Sequence, residues 1–211
     1  MEQLAAWLGE ASSWEGVAVL SALAYLILAA RESNWCWYFA FASTAIYSVL
    51  FWDVSLLMES ALNVYYMVMA VYGWHQWRRG GGDHGGIKIH TLGARGNGLI
   101  VGAILMLTIT SGYLLSRYSS AVWPYVDSFT TWASVIATFM VARKILENWL
   151  YWIVIDVVSI PLYLNRGLEM TALLFAAYVI IAVLGFVRWR QRYRQQAWQA
   201  GSGCVEQQPC A

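Results

Sequence analysis

Apolar residues run along the chain in seven blocks, at about 13–30, 35–52, 54–74, 98–115, 128–142, 149–164 and 170–187, with short polar stretches between them. The blocks show neither the strict alternation of a half-buried strand nor the single apolar stripe of a soluble helix. A hydrocarbon core about 30 Å thick takes roughly 17 to 25 apolar residues in helical form, and backbone in lipid must satisfy its own hydrogen bonds. The pattern therefore predicts an all-α integral membrane protein with seven transmembrane helices. The fifth and sixth blocks are short, but Trp149 and Trp152 can extend the sixth at an interface. Pro161, late in that block, predicts a kink or irregular backbone facing a cavity.

Composition agrees with the membrane class: 60% of the 211 residues are hydrophobic and 12% charged, where a soluble domain carries about 25% charged residues. The net charge of +1 says little, but its distribution says more. Numbering the sides alternately, one side receives eleven basic residues (Arg31, Arg78, Arg79, Lys88, Arg95, Arg143, Lys144, Arg188, Arg190, Arg192, Arg194) and the other only Arg117 and Arg166. The positive-inside rule then puts the N-terminus outside and the C-terminus in the cytoplasm. Residues 1–14 lack the basic start of a cleavable signal; Leu4, Trp7, Leu8, Ala11 and Trp14 recur at helical spacing and predict a short helix on the membrane surface.

The polar segments offer little chemistry. The basic, glycine-rich loop at 78–97 is not a phosphate loop, because Gly86 is followed by Ile87 and Lys88 rather than Lys and Ser or Thr. His84 and His90 read as solvated loop residues, and Cys36, Cys204 and Cys210 form no disulfide framework and no metal spacing. No cofactor, metal or nucleic-acid partner is expected. The tail at 191–211 is polar and, after Arg194, expected to be disordered.

The chain also repeats itself. Asn34-Trp35 aligns with Asn148-Trp149; at a slightly shorter offset, Gly73 and Trp77 align with Gly185 and Trp189, and Tyr66 with Tyr178. Each copy is then a three-helix unit, at 15–77 and 128–190, with a linker helix and outer loop at 98–127. An odd unit plus one linking helix makes a parallel repeat (3+1+3), as in small transporters of the SWEET type, with a site between the copies near the midplane.

Two helical faces could line such a site. Glu59, Asn63, Tyr66 and Gly73 recur at four, three and seven; Trp149, Trp152, Asp156, Ser159 and Tyr163 at three, four, three and four. An acid inside a membrane costs at least about 2.5–3.5 kcal/mol at the helix centre, so it faces a cavity or a partner. Rings, an amide and a carboxylate suit a flat, polar, cationic molecule. Against this, Trp35, Trp37, Trp52 and Trp74 are read as interfacial belts, and the end at 73–77 as an anchor before the basic loop.

The run NVYYMVMAVYGWHQW with the preceding LLMESAL, and ENWLYWIVIDVVSIPLYL in the second copy, resemble the PnuC family of bacterial vitamin transporters over about residues 16–190. The resemblance implies two three-helix bundles joined by a central helix, packed as a homotrimer in the bacterial inner membrane. It implies facilitated diffusion of nicotinamide riboside, with a cytoplasmic kinase trapping the product by phosphorylation; some members resemble thiamine or riboflavin transporters. Carried onto this chain, it implies Asn63, Tyr66, Trp149, Trp152 and Asp156 as binding residues. Glu59 and Ser159 join them from the helical faces, and Gly73, Pro161 and Gly185 are candidate flexing points. Proton- or sodium-coupled import, with Asp156 or Glu59 as the coupling acid, is the alternative mechanism. The absence of a His-Glu-x-x-His run or a Ser-His-Asp set argues against an enzyme.

Overall fold

A computed structural model describes residues 13–53, 57–79, 87–119, 122–165 and 169–205. They contain seven helices: α1 (Ser13–Ala30), α2 (Cys36–Asp53), α3 (Leu57–Arg79), α4 (Gly93–Tyr118), α5 (Pro124–Ala142), α6 (Asn148–Asn165) and α7 (Glu169–Val205). Each apolar block became one helix. The surface helix predicted before residue 13, His84, Arg166, Cys210 and the side chains of Glu59 and Cys204 lie outside the described residues.

The ends differ from the sequence reading where propensity or a special residue decides them. α5 starts at Pro124 rather than near 128, because proline suits the first helical turn, whose N–H has no partner in the helix. α4 begins at Gly93, inside the stretch assigned to the loop. The tail is corrected most: α7 continues to Val205, carried by Arg, Gln and Ala, which all favour helix. Pro161 sits within α6, whose helix continues past it to Asn165.

Six helices pack in a closed cycle, α1 on α2, α2 on α3, α3 on α5, α5 on α6, α6 on α7 and α7 back on α1, while α4 packs on α5 from outside. Outward faces are apolar, as at Leu99, Met106, Ile109, Leu173 and Ile180, which is the surface a bilayer would cover. By length and composition alone, α4 and Thr171–Gln199 of α7 are long and apolar enough to span a membrane, and Gly16–Ala30 and Cys36–Leu50 are shorter apolar segments.

One end of the cycle is filled by four indoles. Trp37 meets Trp77 edge-on at 5.2 Å and 85°, Trp149 meets Trp189 at 5.5 Å and 86°, and Trp77 and Trp189 join the pairs at 6.0 Å. All four are buried. Two glycines make room for them: a Cβ on Gly185 would stand 2.8 Å from three Trp149 ring atoms, and one on Gly73 would collide with the Trp37 ring. The indoles also bind across the cycle. Trp77 Nε1 donates to the Val141 carbonyl at 3.3 Å, and Trp189 Nε1 to the Ala29 carbonyl at 3.1 Å.

These equivalences hold one register. Trp37 and Trp149, Gly73 and Gly185, Trp77 and Trp189, and the acceptors Ala29 and Val141 are all separated by the same length of chain. So are Glu32 and Lys144, the two non-glycine residues with positive φ among the described ones, at 56° and 53°. The alignment of Trp35 with Trp149 is thus corrected to Trp37 with Trp149. Trp35 is 66% exposed, whereas Trp37 is buried against Gly73. Trp37 and Trp77 therefore leave the interfacial positions to which the sequence reading assigned them, while Trp35 and Trp52 remain on the surface.

The same end carries the turns. The Lys144 ammonium lies 3.3 Å from Glu32 Oε2 and 4.6 Å from the centre of the Trp77 ring. Ile87–His90 runs beside the turn after α5: His90 N–H donates to the Lys144 carbonyl and Leu146 N–H to the His90 carbonyl, with Ile89 buried beneath. Glu147 then tethers the start of α4, its Oε1 accepting from Leu92 N–H at 3.1 Å and Asn97 Nδ2 at 3.2 Å.

Candidate functional site

Beyond the indole layer, all six cycle helices contribute polar side chains to the interior. Tyr66 of α3 lies beside Ser134 of α5, and Tyr25 of α1 lies within electrostatic reach of Tyr66. Tyr178 of α7 lies within reach of Tyr47 of α2 and of Asp156 and Tyr163 of α6. The layer thus combines phenols, a hydroxyl and a carboxylate between apolar walls. Asp156 is 4% exposed, and no basic side chain pairs with it among the described residues. Burying an unpaired carboxylate is costly, so its retention needs a cause beyond packing.

The predicted α6 face does turn inward: Trp149, Asp156 and Ser159 are buried, and Trp152 and Tyr163 half-buried. Its members divide by depth. Trp149 belongs to the indole layer, with its N–H unpartnered. Trp152 bridges the two apolar clusters of the core, one around the indoles and one around Ile104, Ala133 and Ala137. Ser159 donates to the Ile155 carbonyl one turn back, at 2.8 Å. On α3, Tyr66 reaches the polar layer and Asn63 is half-buried. Tyr65 instead donates to the Val135 carbonyl at 2.9 Å, tying α3 to α5.

In the register that pairs Trp37 with Trp149, some of the paired residues are chemically unlike: the counterpart of Asp156 is Thr44, and the counterpart of Trp152 is Ala40. One half therefore supplies an indole and an acid where the other supplies a methyl and a hydroxyl.

The nicotinamide mononucleotide transporter family matches residues 12–191, most of the chain. The chain belongs to this family. It is a membrane transport protein and not an enzyme. Among relatives, the riboflavin/roseoflavin transporter RibM of Streptomyces davaonensis is 26% identical over 82% of this chain and 82% of its own. The nicotinamide riboside transporter PnuC of Escherichia coli is 22% identical over 89% of this chain and 90% of its own. A crystal structure of the vitamin B3 transporter PnuC superposes with a TM-score of 0.72 at 22% identity, covering 92% of this chain and 87% of that one, which shows the shared fold.

Within this transporter fold, several residues had no sequence signal that separated them from the background. Tyr25 and Tyr47 are lone phenols in apolar blocks, where belt residues look the same. Ser134 is one small hydroxyl among many. Glu32 and Lys144 lie in turns, and only the register of the repeat links them.

Proposed function

We propose that this transporter imports nicotinamide riboside by facilitated diffusion, and that a cytoplasmic kinase traps the vitamin by phosphorylation. The observation that carries the choice is Asp156: a buried carboxylate without a basic partner among the described residues, within reach of the Tyr178 phenol, fits a cationic aromatic substrate. A pyridinium between ring faces gains about 0.5–2 kcal/mol per ring, and the carboxylate offsets its charge. Asn63, Tyr66, Trp152, Asp156 and Ser159 line the site in this reading, with Glu59 joining them one turn before Asn63 and Trp149 closing the cytoplasmic side.

In this reading, α1–α3 and α5–α7 are two parallel three-helix units, α4 is the linker, and the protein assembles as a homotrimer in the bacterial inner membrane with its N-terminus outside. The constant offset between equivalent residues supports the repeat, and the basic residues at the indole end support the orientation. The four indoles and the Glu32–Lys144 pair then form an inner gate, and transport rocks one unit against the other around the bound vitamin.

The similarity to RibM favours riboflavin as a second reading, because that relative is 26% identical and its substrate is neutral. Titrating the purified protein with nicotinamide riboside, thiamine and riboflavin separates the readings. Binding of the two cations and not of riboflavin is expected; riboflavin binding alone would reject the cationic site. Flux into proteoliposomes should stop at equal concentrations, and accumulation driven by a proton or sodium gradient would replace the uniporter with a coupled carrier.

A further inference from the structure

An open cleft of about 220 Å³ lies on the outer face of α2 and α3 at the indole end, lined by Asn34, Trp35, Tyr38, Trp74 and Arg78. It is a built site. Trp74 Nε1 donates to the Tyr38 hydroxyl at 3.0 Å, and the Tyr38 ring stands edge-on to Trp74 and 5.2 Å from Trp35. The Arg78 guanidinium stacks 4.7 Å above Trp74, which holds its planar fork of N–H donors in place. The Asn34 side-chain oxygen is buried without a hydrogen-bond partner.

Apart from Arg78, the scaffold does not require these residues. Their counterparts in the second half are Leu146, Glu147, Leu150, Phe186 and Arg190. There Glu147 holds the start of α4, whereas in the first half the same place is left open with Trp35 and Tyr38 more than half exposed. Three aromatics, an unpartnered acceptor and a fixed guanidinium are thus gathered only where no described helix of the chain covers them.

We propose that this cleft binds the zwitterionic head group of a phospholipid bearing a primary ammonium, of the phosphatidylethanolamine class. Arg78 binds the phosphate through a charge-assisted, two-pronged contact. The ammonium lies against the Trp35 and Tyr38 faces and donates to the Asn34 oxygen, which a quaternary ammonium has no N–H to do. The place suits it: the cleft sits beside Arg78 and Arg79 at the last turn of α3, where aromatic belts and basic residues meet lipid head groups. The proposal rests on the membrane-spanning fold and not on which vitamin is carried.

Native mass spectrometry of the full-length protein, released from mixed micelles, tests it. Phosphatidylethanolamine should be retained about tenfold better than phosphatidylglycerol or phosphatidylcholine, the discrimination of one charged hydrogen bond. Arg78→Gln and Trp35→Leu, both at exposed positions, should each remove that preference. Equal retention of the three lipids, or a preference that survives both variants, overturns the proposal. Displacement of the lipid by inorganic phosphate would make the cleft a soluble-anion site instead. Disulfide cross-linking of Trp35→Cys to a second copy in lipid-free detergent would make it a subunit contact.

Discussion

Asp156 occupies a position that Thr44 fills in the other half, so the fold itself works with an uncharged hydroxyl there. The helix packing therefore does not call for the carboxylate, which the proposed site does. Asp156→Asn keeps the shape and removes the charge. A hydrogen bond to a charged group contributes about 1.5–3 kcal/mol, so affinity for nicotinamide riboside should fall roughly 10- to 150-fold. Calorimetric titration measures this, and an unchanged affinity would remove Asp156 from the site. Gly185 makes the opposite point, because its close approach to Trp149 already accounts for it. Gly185→Ala should cost about 1–3 kcal/mol through overpacking, read as a lower Tm in detergent. Trp149→Phe, which shrinks the ring, should restore part of the loss. A glycine needed only for flexing would show no such rescue.

Helix existence was legible from the sequence because a bilayer selects on apolar length, and each of the seven blocks became a helix. The inward face of α6 was legible because its rings and acid recur at helical spacing. The register of the repeat was legible over α3 and α7, where Tyr66, Gly73 and Trp77 pair with Tyr178, Gly185 and Trp189, but not over α2 and α6. Asn-Trp occurs at both 34–35 and 148–149, but the indole that a glycine admits to the core is Trp37, and glycine contacts come from tertiary packing. The layer of Tyr25, Tyr47 and Tyr178 was hidden for the same reason: it is assembled by the closed cycle of helices, not by any local pattern. Element ends behave similarly. The start of α4 is held by Glu147, which lies far along the chain, beyond α5. Glu147→Ala should therefore speed amide exchange over residues 91–97 while leaving α6 beyond its first turn unchanged. Equal exchange in the two proteins would show that the α4–α5 contact alone holds that end.

At one end of the molecule, the contacts between its first three and last three helices share a pattern. In the cycle of six, the first three helices meet the last three at two places, α3 on α5 and α7 on α1. Trp77 Nε1 bonds across the first and Trp189 Nε1 across the second, and Lys144 pairs with Glu32 beside them. Each bond contributes about 1 kcal/mol, so these three contacts add a few kcal/mol to the packing of the four indoles. In the proposed rocking of α1–α3 against α5–α7, they are contacts that part. Changing Trp77 and Trp189 to Phe keeps both rings and deletes both donors, which should raise the open population. Cys36 reports it, because this thiol is wholly buried next to Trp37. In a background with Cys204→Ser and Cys210→Ser, a maleimide should label Cys36 roughly tenfold faster in the double Phe variant, by the same estimate of about 1 kcal/mol or more. Saturating nicotinamide riboside should change that rate in the wild-type protein too, since a vitamin that shifts the equilibrium must bind the two states unequally. Labelling that is indifferent to both changes would place the moving interface elsewhere in the cycle.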